Sequence, residues 1–248
     1  MIWIGTSGWA YPHWNGRFYP RNLPDRSQLA YYARHFLTVE INRSFYRLPT
    51  RDQFQAWAEE VTTHPTFHFA VKASRYITHL KKLQHVEAGV TRLIAAAEGL
   101  GNRLGPFLYQ LPPNWRANAP RLEQFIALLP RQYRAAFEFR DPSWFQPEIL
   151  HILNAAGCAL VIAIGGPCPT PLDIPLTGPL HYFRFHHGAS SISFSDAELA
   201  FWARRIAAAA ENHDVYVYFN NDVEGYAITN ARRLRELLGP AAAPTTMP

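Results

Sequence analysis

The sequence predicts a single-domain (β/α)8 barrel with a site at the carboxyl ends of its strands. Three observations lead there. Strand-like and helix-like segments alternate from one end of the chain to the other, the pattern of a parallel sheet wound with helices. The strand segments are short, nearly continuous apolar runs, as strands buried on both faces must be. Nearly every run also ends on a polar side chain, as expected where a site crowns a closed barrel. About eight such units in 248 residues fit one barrel. The alternative, an open doubly wound sheet, would carry a glycine-rich phosphate turn after its first strand, and Gly5-Thr6-Ser7-Gly8 matches one poorly.

In chain order the strands are expected at 2–7, 38–42, 67–72, 107–110, 137–140, 158–163, 182–186 and 215–220. Thr50 and Gln53 have the spacing of a capping box, and behind them Phe54, Trp57 and Val61 share one helix face. Residues 87–100 and 121–129 read as two further helices. A second capping box, Ser195 to Glu198, opens a helix with an apolar stripe of Leu199, Trp202 and Ile206. The last helix runs over 225–238 and is stopped by Gly239-Pro240. After the sixth strand, Gly165-Gly166-Pro167 and a proline-rich stretch to Pro179 have no helical period. A loop is therefore expected to replace one barrel helix there. The domain is expected over 1–240, with a disordered tail of small residues and proline over 241–248.

Hydrophobic residues at 48% and charged residues at 17% describe an ordinary globular chain rather than a disordered or low-complexity one. The net charge of +5 permits an anionic partner without demanding one. The densest basic cluster, Arg232, Arg233 and Arg235, reads as the solvated face of the last helix before it reads as a nucleic-acid patch. Cys158 and Cys168 form no CxxC motif, so a reducing, cytoplasmic setting is expected. The chain opens directly into a strand rather than a signal peptide, and no apolar stretch is long enough to span a bilayer. No membrane association is expected.

With the strands in place, a set of motifs stands out. They are Gly5-Thr-Ser-Gly-Trp9, Phe18-Tyr-Pro20 after Trp14, Val39-Glu-Ile-Asn42 with Ser44-Phe-Tyr46, and Phe69-Ala-Val-Lys72. Then follow Gln110-Leu-Pro-Pro113, Phe137-Glu-Phe-Arg140 with Ser143-Trp144, and Tyr218-Phe-Asn-Asn-Asp222. In these motifs, spread over nearly the whole chain, the sequence resembles the DUF72 family, also known as the YecE-like proteins. The resemblance implies a TIM barrel, in agreement with the fold argued above, and implies no reaction. The chain departs from the family pattern at Asp141, where a histidine is common, and at Ala163-Ile-Gly-Gly166, where an acidic residue is common. The Arg-x-His-Gly motif reads here as Arg184-Phe-His186-His187-Gly188, so either histidine can be its match.

Side chains alternate faces along a strand. Glu40 therefore shares a face with Asn42, Glu138 with Arg140, and Arg184 with Tyr182 and His186; Lys72 joins His68 and Ala70. The candidate catalytic residues are Glu40 and Glu138 as a pair of carboxylates, Lys72 as a charge or a Schiff-base amine, and His186 as a proton shuttle. Trp9, Asn42, Tyr46, Gln110, Arg140, Arg184, Asn220 and Asn221 are the candidate substrate-binding residues. A plainer reading competes with each assignment. The glutamates can simply balance the cations, Glu138 with an arginine and Glu40 with Lys72. The loop aromatics Trp9, Tyr11, Trp14, Phe45, Tyr46 and Trp144 can stack on a ligand or pack the loops. Asp222 can cap the last helix, and His68, low in its strand, is a hydrogen-bonded core histidine. A metal site would need His186 or His187 with carboxylates, but no HxH or HExxH spacing is present and the nearby cations oppose a divalent ion.

These residues predict a metal-independent enzyme, a hydrolase or lyase without a cofactor. Its ligand would be small, polar and anionic, such as a sugar, a sugar phosphate or a nucleotide fragment. Two other readings stand beside it: a non-catalytic module binding nucleic acid or a phosphorylated metabolite, and a metal-dependent hydrolase.

Overall fold

A computed structural model describes residues 1–242. Eight strands, β1 (Ile2–Ser7), β2 (Thr38–Ile41), β3 (His68–Lys72), β4 (Leu104–Gln110), β5 (Ala135–Glu138), β6 (Ala159–Ile164), β7 (Leu180–Phe185) and β8 (Asp214–Phe219), pair in parallel in chain order. β8 closes onto β1, so no strand edge is left unpaired. The helices outside are α1 (Gln28–Ala33), α2 (Arg43–Tyr46), α3 (Arg51–Glu60), α4 (Glu87–Ala97), α5 (Ala119–Ala127), α6 (Pro147–Ala155), α7 (Asp196–Ala210) and α8 (Tyr226–Leu238). This is the TIM barrel that the sequence predicts.

Both capping boxes form. Thr50 and Gln53 exchange hydrogen bonds at the start of α3, and Ser195 and Glu198 do so at the start of α7. α1, α2 and α6 escaped the sequence reading. α1 and α2 are too short to show a period, and α6 begins at a proline that reads as a breaker until it is seen at the first helical position. Strands β2, β5, β7 and β8 end one or two residues earlier than expected. Asn42, Arg140, His186 and Asn220 therefore sit on the first residues of the loops.

No helix follows β6 among the described residues. Gly165 at φ +70° and Gly166 at φ +80° turn the chain back instead, and a Cβ on Gly165 would lie 2.2 Å from the His187 carbonyl oxygen. The loop is held by two buried threonines. Thr170 Oγ1 accepts from the Ala163 N–H, and Thr177 Oγ1 from the Leu160 N–H. These bonds satisfy β6 backbone groups that would otherwise be buried unpaired.

Alternation divides the buried side chains into two sets. Phe69, Phe107, Phe137, Phe183 and Phe219 point outward to the helices. Trp3, Ala70, Leu108, Ala136, Tyr182 and Tyr216 fill the barrel interior. At the lower end Trp3 stacks on Tyr216 with ring centroids 4.7 Å apart, and His68 Nδ1 lies 3.0 Å from the Tyr216 hydroxyl. His68 is thus the bonded core histidine its position implied. At the upper end the interior turns charged.

Gly239–Ala242 forms one more turn, and Ala242 is buried. The packed chain therefore runs past the expected limit at residue 240. The rest of the expected tail, 243–248, lies outside the described residues. No helix among the described residues is long and apolar enough to cross a membrane.

Candidate active site

Arg184 stands at the upper end of β7 with none of its side chain exposed. Its Nε and Nη2 donate to the two oxygens of Glu40 at 3.0 and 2.8 Å, and its Nη1 donates to Glu138 Oε2 at 2.5 Å. Glu40 also accepts from Ser7 Oγ at 2.7 Å and from the Tyr182 hydroxyl at 2.6 Å. Glu138 also accepts from Gln110 Nε2 at 2.9 Å, His186 Nε2 at 3.1 Å and Arg140 Nε at 3.4 Å. Each carboxylate thus has four donors; those of Glu40 are shared two and two between its oxygens, whereas Glu138 takes three on Oε1 and only Arg184 on Oε2. Sheet register explains the assembly. Ser7 is paired with Glu40 and Gln110 with Glu138 on neighbouring strands, and Arg184 reaches both carboxylates from β7 across the barrel.

The network sets its own ionisation. Burial alone would raise both carboxyl pKa values, but the Arg184 charge outweighs it. Glu40 is held below the ordinary carboxylate value and Glu138 well below it. Burial would lower the Arg184 pKa, and Glu138 and Glu40 together raise it. Two carboxylates and one guanidinium leave a net charge of −1 on this platform.

Above it lies a cavity of about 670 Å³ at the barrel mouth. Lys72, Arg75 and Arg140 line it, with the amides of Asn42, Gln110 and Asn220 between them. Lys72 is only 9% exposed, yet among the described residues it has no carboxylate within 4 Å and no side-chain hydrogen bond. Its nitrogen lies 4.4 Å from the centre of the Phe45 ring. Burial, and then the charge of Arg184, lower its pKa to about 8. His79 faces the same space, and burial with the nearby Lys72 charge lowers it to about 4, so it is neutral at pH 7. The side-chain oxygen of Asn42 is buried without a hydrogen-bond partner. Three cations over a floor of −1 give the mouth a surplus of positive charge, and Lys72 and Asn42 both line it.

The candidate residues fall into three groups. Asn42, Tyr46, Lys72, Gln110, Arg140 and Asn220 line the cavity. Glu40, Glu138, Arg184 and His186 form the buried layer beneath. Trp9 and Asn221 lie elsewhere. Trp9 packs edge-on against Trp57, 5.1 Å between ring centres, and borders a neighbouring pocket of about 370 Å³ that also touches Asn42. Asn221 is buried and ties the chain to Ile192 and Asn230, which removes it from ligand contact.

Several expectations need correction. Arg184 does not reach into the cavity, because it is spent on two carboxylates. Glu40 pairs with Arg184 rather than with Lys72. Asp222 does not cap α8, whose N-cap is Gly225 with no side-chain bond. It accepts from Trp14 Nε1 at 2.8 Å and lies 2.9 Å from His13 Nε2, tying the first loop to the last. The two histidines separate cleanly. His186 sits between Glu138 and Asn220, whereas His187 Nε2 accepts from the Gly166 N–H and its Nδ1 faces the Gly188 carbonyl. With Asn220 donating to Nδ1, the His186 proton lies on Nε2 and is given to Glu138. Both ring nitrogens of His186 are then occupied.

Of the loop aromatics, Trp14 and Trp144 are fully buried packing residues, while Tyr11, Phe45 and Tyr46 line the cavity. Sequence reasoning missed Ser7 and Tyr182 as partners of Glu40, although both lie on inward-facing positions. It also missed Arg75 and His79, which come from the turn Tyr76–Leu80 and its approach. Among the described residues no group of three His, Cys, Asp or Glu side chains is placed to hold a metal ion.

The model of a family described as "Protein of unknown function DUF72" matches residues 3–248. The UPF0759 protein YecE of Escherichia coli (strain K12) is 32% identical over 58% of this chain and 50% of its own length. The chain thus matches about half the length of that curated relative. The UPF0759 protein YunF of Bacillus subtilis (strain 168) is 27% identical over 96% of this chain and 95% of its own. Among solved structures, a DUF72 family protein from Thermotoga maritima superposes with a TM-score of 0.83 at 27% identity, over 96% of this chain and 99% of that one. A DUF72 family protein from Enterococcus faecalis does so with a TM-score of 0.82 at 22% identity, over 96% and 95%, a likeness of fold alone.

Proposed function

This chain belongs to the DUF72 family, whose description names no reaction, and we propose that it is a metal-independent barrel enzyme acting on a small anionic ligand at the barrel mouth. One observation carries this reading. Lys72 is a buried cation with no carboxylate within 4 Å among the described residues, at the wall of a cavity that Arg75 and Arg140 also line. Buried charges are normally paired. An anionic ligand group would supply the missing partner. Arg140, bound to Glu138 only through Nε, keeps its outer nitrogens for a phosphate or carboxylate. Asn42 and Asn220 would orient hydroxyl groups.

The platform argues for a lyase over a hydrolase. Glycoside or ester hydrolysis through two carboxylates needs one of them free to take or give a proton. Glu40 and Glu138 are ionised and carry four donors each. Arg184, bonded to both carboxylates, and the cations lining the cavity also oppose a divalent metal there. The amine left at the cavity is Lys72, with the neutral imidazole of His79 facing the same space.

Calorimetric titration with inorganic phosphate and with sugar phosphates tests the binding half of this reading. Arg140→Ala should weaken binding by about tenfold or more, the worth of a charge-assisted hydrogen bond. Equal affinity in wild type and variant, or no binding of any anion, would remove the anion from the reading.

A further inference from the structure

We propose that Lys72 is a nucleophile that forms an imine with its ligand, and that the substrate is an aldehyde or ketone bearing an anionic group. This deepens the anion-site reading and rests on it. The choice of side chain is the first argument. Of the 24 lysines and arginines in this chain only Lys72, Lys81 and Lys82 are lysines. Arginine would grip an anion better, through its planar fork. Losing a proton near neutral pH and attacking carbon is what lysine offers and arginine does not.

The surroundings supply the second argument. Lys72 is 9% exposed, rests against the Phe45 ring, and has no carboxylate within 4 Å among the described residues. Burial and the charge of Arg184 oppose its ammonium form more than the more distant Glu40 and Glu138 favour it. Lys81 and Lys82 are exposed on the surface. A pKa of about 8 leaves on the order of a hundredfold more neutral amine at pH 7 than an ordinary lysine has.

The step balances without redox chemistry. The Nζ lone pair attacks the carbonyl carbon while the C=O π pair moves to oxygen, which takes up a proton; the nitrogen gives one up. The resulting carbinolamine carries a hydroxyl, and Asn42 lines the cavity in which it would form. Protonation of that hydroxyl then lets the C–O bond break, releasing water as the C=N bond forms, and the nitrogen gives up its remaining proton. The sum is amine plus carbonyl giving imine plus water.

Borohydride trapping tests the proposal with two probes, pyridoxal 5′-phosphate and pyridoxal, followed by peptide mass mapping. The three lysines report within one molecule. Lys72 should be labelled at least about tenfold faster than Lys81 or Lys82 at pH 7, as an amine with a depressed pKa beside an anion site. Labelling should be faster with the phosphate-bearing probe and slowed by added inorganic phosphate. Lys72→Arg, which keeps the charge, should still be stabilised by phosphate but lose this fast label. Fast trapping at Lys72 by both probes equally would support the imine and remove the anion site. Thermal stabilisation by phosphate with no preference for Lys72 would overturn the imine and leave the anion site standing. Neither stabilisation nor selective trapping would overturn both.

Discussion

Arg184 and Lys72 are buried in the same barrel mouth, one on β7 and one on β3, and their surroundings are opposite. Arg184 is enclosed by two carboxylates that take up all three of its nitrogens. Lys72 is enclosed by a phenyl ring, amides and other cations. A buried charge costs several kcal/mol unless it is paired. The first region meets that cost within the fold. The second meets it only from a distance, through Glu40 and Glu138, and opens it to a cavity. The difference separates structure from function here: the paired side holds the strand ends in place, and the unpaired side is where a ligand completes the site.

The largest effect should come from breaking the paired side. Arg184→Met strands two buried carboxylates and should lower stability by about 3–5 kcal/mol, read from the urea midpoint. The pH profile sharpens the test. Both glutamates have folded pKa values below their unfolded ones. Their contribution is present above the unfolded value, about pH 4.3, and is lost as pH falls through the folded values. Without Arg184 burial dominates and the carboxyl values rise. The deficit of the variant should therefore shrink between pH 7 and pH 4, and a constant deficit would contradict the electrostatic account.

Relieving the unpaired side should act in the other direction. Lys72→Met should stabilise the protein at pH 7, by up to about 3 kcal/mol if the whole pKa shift is recovered. The sign follows from the depressed value. Between about 8, folded, and about 10.4, unfolded, the unfolded chain binds more protons, so wild-type stability should rise with pH across that window. The variant should lack that rise. A lower melting temperature for Lys72→Met would show that the ammonium is satisfied after all.

Ser7→Ala removes one of four donors to Glu40 and should cost about 1–2 kcal/mol by urea unfolding, leaving phosphate affinity unchanged. The smallest effect belongs far from the mouth. Ser195→Ala breaks the capping box of α7 and should cost about 1 kcal/mol, again with phosphate affinity unchanged. A shift in affinity for either variant would mean that the platform and the mouth are not separable.

Local pattern made much of this legible. Period-two alternation put Glu40, Lys72, Glu138 and Arg184 on inward faces, and the two capping boxes marked helix starts to the residue. Asn221 and Asp222 misled because they extend the polar end of β8, where one more residue turns a side chain from the cavity into the packing. Arg75 and His79 were silent because a turn has no period to read.

The sequence by itself determined the barrel, its family and the level at which charges gather, because strand periodicity and strand-end chemistry are local properties. Only the tertiary structure decided which charges neutralise one another. Glu40 and Arg184 are 144 residues apart, and Lys72 lay equally within the reach of any sequence argument for pairing with Glu40. That choice depends on strand order, register and side-chain reach across a closed barrel, which no local pattern encodes.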